Sequence, residues 1–337
     1  MLKDTNSQAE TETVREALAS TLAEEMRLNK EIFLMGEEIG EYQGAYKVTQ
    51  GLLHEFGSDR VIDTPITEHG FAGLAIGAAF AGLRPVVEFM TFNFALQAMD
   101  QLVNSAAKTL YMSGGRVSCP IVFRGPNGPA SQVGAQHSQD FSSWFAHIPG
   151  LKVMQPYTAH DHRELLKAAI RDPNPVIFLE NEILYNKSFP VSKQRNENSL
   201  SKSLGEVFQV GSDITFVSSG IGMQYAIEAS EVLATHHNIS VEIINLRSLR
   251  PIDKHSIIES VKHTGRCITI EEGWPVCSIG NHISAILMQE AFDFLDAPVL
   301  NITSHDVPMP YASNLEKYTL PKVDDIVSGA LSICYVS

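Results

Sequence analysis

Cysteine is scarce in this sequence, with four residues in a chain of 337. None of them forms a C-x-x-C pair, and none lies at the spacing from histidine that zinc sites use. The sequence therefore predicts neither a disulfide framework nor a structural zinc site. We expect small, buried, free thiols in a reducing compartment at Cys119, Cys267, Cys277 and Cys334.

Positive charge is also in short supply. The chain has 25 Lys and Arg residues against 39 Asp and Glu residues, which gives a formal net charge of −14. The basic residues are scattered, so they form no patch that would attract nucleic-acid phosphates or an anionic membrane. We therefore expect no nucleic acid and no membrane among the partners.

Long apolar runs and nucleotide-binding motifs are missing. The longest apolar run, residues 71–83, is shorter than the roughly 20 residues that cross a bilayer. The polar N-terminal segment lacks the features of a signal or transit peptide, which predicts a cytoplasmic protein. No G-x-G-x-x-G motif follows a strand and no P-loop is present, so the common nucleotide fingerprints are absent.

The chain alternates short apolar runs with longer amphipathic segments. Runs such as "RPVVEFMTF", "PIVFRGP" and "PVIFLENE" predict strands buried on both faces of a parallel sheet. Segments such as "AMDQLVNSAAKTLYM" and "AHDHRELLKAAIRD" predict helices between them, hence an α/β fold. A polar stretch predicts a linker at 187–205, between a first domain (10–186) and a smaller α/β domain (206–337).

The run "TPITEHGFAGLAIGAAFAGLRP" predicts a helix with one nearly bare face. Gly70, Gly73, Gly77 and Ala81 are three, four and four residues apart, so they lie along one side. Glycine costs up to about 1 kcal/mol in a helix relative to alanine, so another backbone is expected to pack closely there. That backbone belongs either to a second subunit, which we favour, or to the same chain.

Glu68 stands at the start of this helix. An exposed acid there would be explained by the helix dipole, which favours it by about 0.3–1 kcal/mol, with Thr67 or Thr64 as the cap. The flanking "PIT" and "GFAG" instead suggest burial, which raises the pKa of a carboxyl and lets it donate a hydrogen bond to a ligand nitrogen. From the residues alone, both interpretations stay open.

A second candidate site combines "IVFRGPNG" with "GAQHSQD". Ligands of open α/β sheets bind at the carboxyl ends of strands, and this segment follows a predicted strand. His137 in this position is suited to acid–base chemistry. Alternatively, it caps the helix that follows.

Several longer motifs resemble one family closely: "GEEIGEYQGAYKVTQGL", "DTPITEHGFAGLAIGAAFAGLRPVVEFMTF", "AQHSQDF", "RSLRPID", "EEGWP" and "DVPMPYA". From about residue 12 to the C-terminus the chain is similar to β subunits of the first, decarboxylating component of pyruvate dehydrogenase. The resemblance implies a transketolase-like pyrimidine-binding domain followed by a transketolase C-terminal domain. It also implies an oxidoreductase that decarboxylates pyruvate and acetylates the lipoyl group of a transacetylase.

The same resemblance implies a cofactor and partners. Thiamine diphosphate would lie between this chain and an α subunit, in an α2β2 heterotetramer. The α chain would hold magnesium through a G-D-G motif followed later by Asn, and this chain lacks that motif. The C-terminal domain would dock the transacetylase component.

Site residues follow from the resemblance position by position. It implies that Glu68 hydrogen-bonds the ring nitrogen of the aminopyrimidine, that Phe94 packs on that ring and that Ile66 lines the pocket. It implies that His137 lies near the substrate and assists acyl transfer. It also implies a potassium ion held by backbone carbonyls at Ile121, Ala169, Asp172 and Asn174.

Two alternatives remain at this point. A β subunit of a branched-chain 2-oxo acid or acetoin dehydrogenase would share the fold and the mechanism. A non-catalytic scaffold would hold a partner to the transacetylase, but it would not need the set formed by Glu68, Phe94 and His137.

Overall fold

The computed structural model describes residues 10–191 and 204–336. The strands are β1 (Thr11–Thr13), β2 (Ile32–Gly36), β3 (Val61–Asp63), β4 (Arg84–Glu88), β5 (Val122–Pro126), β6 (Lys152–Met154), β7 (Val176–Glu180), β8 (Ser188–Pro190), β9 (Glu206–Gln209), β10 (Ile214–Ser218), β11 (Val241–Asn245), β12 (Ser248–Arg250), β13 (Cys267–Ile270) and β14 (Leu300–Ile302). The helices are α1 (Val14–Leu28), α2 (Leu52–Phe56), α3 (Glu68–Phe80), α4 (Ala107–Met112), α5 (Ser142–Ala146), α6 (Ala159–Arg171), α7 (Gly222–His237), α8 (Lys254–Thr264), α9 (Ile279–Glu290), α10 (Ser313–Thr319) and α11 (Val323–Ile333).

The first large sheet has seven strands in the order β12-β6-β7-β5-β4-β2-β3. Its neighbouring strands run parallel except for β12, which is antiparallel to β6. Helices α1 and α6 pack on one face of this sheet and α3 packs on the other. Because β12 comes from the second half of the chain, the two halves are joined through this sheet edge.

The second large sheet has five strands in the order β14-β13-β10-β11-β9. They are parallel except for β9, which is antiparallel to β11. Helices α7 and α11 contribute to the core on one face, and α8 and α9 contribute on the other. The predicted α/β architecture, with a larger sheet followed by a smaller one, is confirmed.

Local sequence signals explain where several helices begin and end. A capping box starts α1, where Thr13 accepts from the backbone N–H of Glu16 while the Glu16 side chain accepts from that of Thr13. Thr158 starts α6 through a second capping box. Asp253 caps α8, which ends before Gly265 at φ +73°, a left-handed conformation that favours glycine.

The helix predicted over 98–112 is not continuous. The segment consists of a 3₁₀ turn (Phe94–Ala98), a π-helical turn (Gln101–Ala106) and α4. At the end of the π turn, the N–H of Ala107 donates to the carbonyl of Leu102, five residues back. Hydrophobic periodicity does not reveal such a turn, because it depends on packing against neighbouring elements.

The predicted linker is described only at its two ends. At the first end, β8 pairs antiparallel with β1. Residues 1–9 and 192–203, on which part of the linker and N-terminal predictions fall, lie outside the described residues. The domain boundaries at 186 and 206 therefore stay a prediction.

Two further predictions concern cysteines and membranes. Cys119 and Cys267 are buried free thiols and Cys334 is half-buried, but Cys277 is exposed, so the expectation of burial is wrong for that residue. Across residues 10–191 and 204–336, no helix is both long and apolar enough to cross a membrane.

Candidate active site

Four neighbouring strands bring the predicted residues to one edge of the first sheet. Glu37 follows β2, Glu68 follows β3, Phe94 follows β4, and the loop with His137 follows β5. In the sheet these strands are consecutive, in the order β5-β4-β2-β3, and they run parallel. Their carboxyl ends therefore meet at the same edge, which is where open α/β sheets bind ligands.

Glu68 is the first residue of α3 and is buried, with 2% of its surface exposed. Its Oε2 atom makes no hydrogen bond within the described chain. Thr67 occupies the N-cap position, as one interpretation expected, but its side chain makes no capping hydrogen bond. Because a buried polar atom without a partner is costly, we infer that Glu68 is kept here for a group supplied from outside this chain.

Glu37, which the sequence analysis missed, is a second buried carboxyl close to Glu68. Its Oε1 atom also lacks a hydrogen-bond partner in the described chain. Burial, followed by the nearby charge of Glu68, raises the pKa of Glu37 to about 7. The sequence feature that points to Glu37 is its position directly after a buried strand, at the end where ligand sites form.

The loop after β2 that carries Glu37 is tied to the end of β3. The backbone N–H of Gly40 donates to Oδ1 of Asp63 at 2.6 Å, and that of Glu41 donates to Oδ2 at 2.9 Å. Since Asp63 ends the strand that leads to Glu68, these bonds fix the two carboxyls relative to one another.

Phe94 and His137 lie next to each other. Their ring centroids are 5.3 Å apart and the rings meet edge to face. His137 is exposed and Phe94 is half-buried. Ile66 is 84% exposed, so the described part of this chain leaves that apolar side chain uncovered. The structure therefore unites Phe94 and His137 and leaves Ile66 on the surface near the buried Glu68.

Arg124 of the "RGPNG" motif is fully buried in an ion-pair network. Its Nε donates to Oε1 of Glu180 at 2.6 Å and its Nη1 donates to Oε2 of Glu88. The Tyr185 hydroxyl donates to the same Glu180 carboxylate at 2.7 Å. Burial opposes the charge on the guanidinium, but the two carboxylates raise the pKa of Arg124. Arg124 therefore holds β4, β5 and β7 together rather than contacting a ligand.

The glycine face of α3 is only partly covered by this chain. A Cβ on Gly73 would lie 3.2 Å from the side chain of Gln101, so this end of the face packs internally. A Cβ on Gly77 would meet nothing within 4 Å in the described residues. Close packing within the chain thus accounts for Gly73 but not for Gly77. That a second subunit packs on the helix around Gly77 stays a prediction.

The predicted potassium positions lie at the opposite, amino-terminal edge of the sheet: Ile121, Ala169, Asp172 and Asn174. There, Nη1 of Arg84 donates to the carbonyls of Ile170 at 2.9 Å and of Asp172 at 3.4 Å. The described residues contain no group of three or more His, Cys, Asp or Glu side chains arranged for a metal. An ion in this place would depend on backbone oxygens.

Two family models match the chain. The transketolase pyrimidine binding domain matches residues 10–187, and the transketolase C-terminal domain matches residues 205–326. The first range includes Glu37, Glu68, Phe94 and His137. The second range includes the five strands of the smaller sheet.

Curated relatives match over nearly the whole chain. The pyruvate dehydrogenase E1 component subunit beta of Rhizobium meliloti (strain 1021) is 62% identical over 96% of this chain and 70% of the relative. The protein of the same name from Rickettsia bellii (strain RML369-C) is 58% identical over 96% and 99%. The mitochondrial subunit beta-1 from Oryza sativa subsp. japonica is 56% identical over 96% and 87%.

A solved structure described as a split gene transketolase, an inactive beta4 tetramer, has a TM-score of 0.77. It covers 96% of this chain and 98% of that chain at 21% sequence identity. At that identity the similarity shows the fold.

Proposed function

The chain belongs to the family of pyruvate dehydrogenase E1 β subunits, and we propose that with an α subunit it catalyses the thiamine-diphosphate-dependent oxidative decarboxylation of pyruvate. In this proposal the acetyl group passes to a lipoyl disulfide on a transacetylase component. High identity to β subunits over almost the whole chain supports the proposal, as does the grouping of Glu37, Glu68, Phe94 and His137 at one sheet edge.

The observation that carries the proposal is the buried, unpartnered Oε2 of Glu68. When bound, thiamine diphosphate supplies the carbon nucleophile and the electron sink that decarboxylation of a 2-oxo acid requires. Glu68 fits the aminopyrimidine, since its free oxygen would hydrogen-bond a ring nitrogen. A hydrogen bond in a dry site is stronger than the same bond in water, which favours proton movement at that nitrogen.

Glu37 adds a carboxyl that can hold a proton beside Glu68. Burial, together with the nearby charge of Glu68, raises the pKa of Glu37 to about 7. We infer that Glu37 keeps a proton available near the hydrogen bond that Glu68 would make.

The remaining residues would bind and orient. Phe94 would pack on the aminopyrimidine, and Ile66 would line the same pocket once a partner covers it and excludes water. His137 touches the ring of Phe94 and is exposed, so it is open to an incoming lipoyl group. We assign His137 to the transfer of the acetyl group, in which an imidazole assists by moving a proton.

The partners and ions are part of the proposal. An α subunit would complete the cofactor site in an α2β2 heterotetramer and hold magnesium. Potassium bound at Ile121, Ala169, Asp172 and Asn174 would raise the melting temperature of the complex in potassium chloride above that in sodium chloride.

We also propose a cytoplasmic location for this chain. Cell fractionation tests this location, and it matters because the relatives from rice are named as mitochondrial proteins.

The test begins with the tagged chain purified from its own cells. Thiamine-dependent oxidation of pyruvate by the recovered complex, with an α partner present, would establish the reaction. A partnered complex that is inert on pyruvate but active on branched-chain 2-oxo acids or acetoin would overturn the substrate assignment. A chain recovered without a partner and without activity would favour the scaffold alternative.

A further inference from the structure

The loop between β5 and α5, which carries His137, is fixed downstream of that residue at Gln139, whose carbonyl accepts from the N–H of Gly128 at 3.0 Å. The N–H of His137 donates to the carbonyl of Gly134 at 3.3 Å, and the N–H of Gln139 donates to Oδ1 of Asn93 at 3.1 Å. The ring of His137 also packs on Phe94, so the remaining support of this residue comes from what holds the loop upstream, around Gly134.

A distant part of the chain holds that upstream section. The N–H of Gln132 donates to Oε2 of Glu316 at 2.7 Å, across a sequence separation of 184 residues. Glu316 belongs to α10 and is 8% exposed, whereas Gln132 is exposed, so this charge-assisted bond is half-buried. Gln132 has φ +56°, a left-handed conformation that residues other than glycine adopt uncommonly.

A second contact lies two residues further along. Gly134 has φ +77°, and a Cβ on it would come within 2.5 Å of Cζ of Tyr311. The ring end of Tyr311 therefore lies directly against the loop backbone, although 73% of the residue is exposed. Gln132 and Gly134, two of the left-handed positions of the loop, thus contact the same C-terminal segment, residues 304–319.

That segment is itself firmly attached to the second sheet. The hydroxyl of Ser304 donates to the carbonyl of Glu272 at 2.7 Å, and the indole N–H of Trp274 donates to the carbonyl of Val307 at 3.0 Å. The N–H of His305 donates to the carbonyl of Thr319 at 2.8 Å, which closes the segment around α10. The smaller domain therefore presents a fixed support to the loop.

We propose that Glu316 and Tyr311 are positioning residues that set the loop of His137, so that the smaller domain aligns this imidazole for acetyl transfer. The inference rests on the role of His137 given under the proposed function. Glu68 and Phe94 reach the site from other strands, so the decarboxylation that depends on them should depend less on this support than acetyl transfer does.

The proposal predicts different effects on the two half-reactions, the decarboxylation of pyruvate and the acetylation of the lipoyl group. A displacement of a catalytic group by about 1 Å costs up to about 100-fold in rate. Loss of the Glu316 bond should therefore slow acetylation of the lipoyl group by about tenfold or more. Decarboxylation followed with an artificial electron acceptor should change by less than about threefold, and the KM for pyruvate should change little.

The experiment uses the assembled complex with its α partner and a free lipoyl domain as acceptor. Glu316→Ala removes the acceptor of the Gln132 N–H, whereas Glu316→Gln keeps an oxygen that can accept it and should restore most of the transfer rate. Tyr318→Ala is the matched control, because Tyr318 lies on the same helix but stacks on His305 rather than on the loop.

His137→Ala and the double variant with Glu316→Ala complete the set. If His137→Ala slows transfer and Glu316→Ala adds little to it, the two residues act through one route and the proposal is supported. Normal transfer in Glu316→Ala, or equal loss of both half-reactions, overturns the proposal. Normal transfer in His137→Ala overturns the role of His137 itself, which separates that failure from failure of the positioning.

Discussion

Glu37 and Glu68 lie near one another at the carboxyl ends of β2 and β3, and each has a buried carboxylate oxygen without a hydrogen-bond partner in the described chain. Such an arrangement destabilises the folded protein, because a buried polar atom without a partner is costly and because burial and the charge of Glu68 raise the pKa of Glu37. Groups of this kind concentrate at functional sites, and this pair stands where the fold predicts a ligand.

Replacing Glu68 by glutamine should lower thiamine-dependent decarboxylation of pyruvate by about 10²–10⁴-fold, because the amide fills the same space but cannot exchange the proton. The complex should still assemble, as measured by size-exclusion chromatography. Glu31→Gln, at an exposed carboxyl before β2, is the control and should keep full activity. Near-normal turnover in the Glu68 variant would contradict the role assigned to that residue.

Replacing Glu37 by glutamine should make stability depend less on pH. The pKa of Glu37 is raised from 4.5 to about 7, so the folded state holds a proton that the unfolded state has released between those values. Stability therefore falls as the pH rises from about 4.5 to 7, and the variant lacks this loss. The difference in melting temperature between pH 5 and pH 8, compared between the two proteins, measures this loss of stability. An unchanged difference between the two pH values would refute the prediction.

Replacing Arg124 by alanine should destabilise the protein by about 3–5 kcal/mol, because Glu88 and Glu180 would remain buried without their cation. Arg27→Ala is the matched comparison, since Arg27 pairs with Glu55 on the surface. The loss for Arg27→Ala should be far smaller, because water screens an exposed ion pair. Urea unfolding measures both variants, and similar losses in the two would argue against a buried network.

Replacing Gly77 by alanine should stabilise α3 in the isolated chain by up to about 1 kcal/mol, because the new Cβ meets no atom of residues 10–191 and 204–336 within 4 Å. If a second subunit packs on this face, the same change weakens assembly with the α partner. Gly329→Ala is the control, since its Cβ would make ordinary contacts with Leu300 inside the chain. Unchanged assembly affinity in the Gly77 variant would favour the alternative that only internal packing uses the face.

The sequence predicted most of the strands because strands of a parallel sheet are covered on both faces and therefore read as continuous apolar runs. Glu68 and His137 could be found because each follows such a run, where ligand sites form. The π turn before α4 could not be found in this way, since the hydrophobic pattern does not distinguish it from regular helix.

By itself, then, the sequence determined the α/β alternation, the positions of the strands and the acid at the head of α3. Only the tertiary structure decided that Glu37 lies near Glu68, that Arg124 joins Glu88 to Glu180, and that Glu316 reaches Gln132 across 184 residues. The reason is physical: these contacts depend on the order of the strands in the sheet and on how the smaller domain packs against the larger one. Local periodicity and propensity carry no information about either.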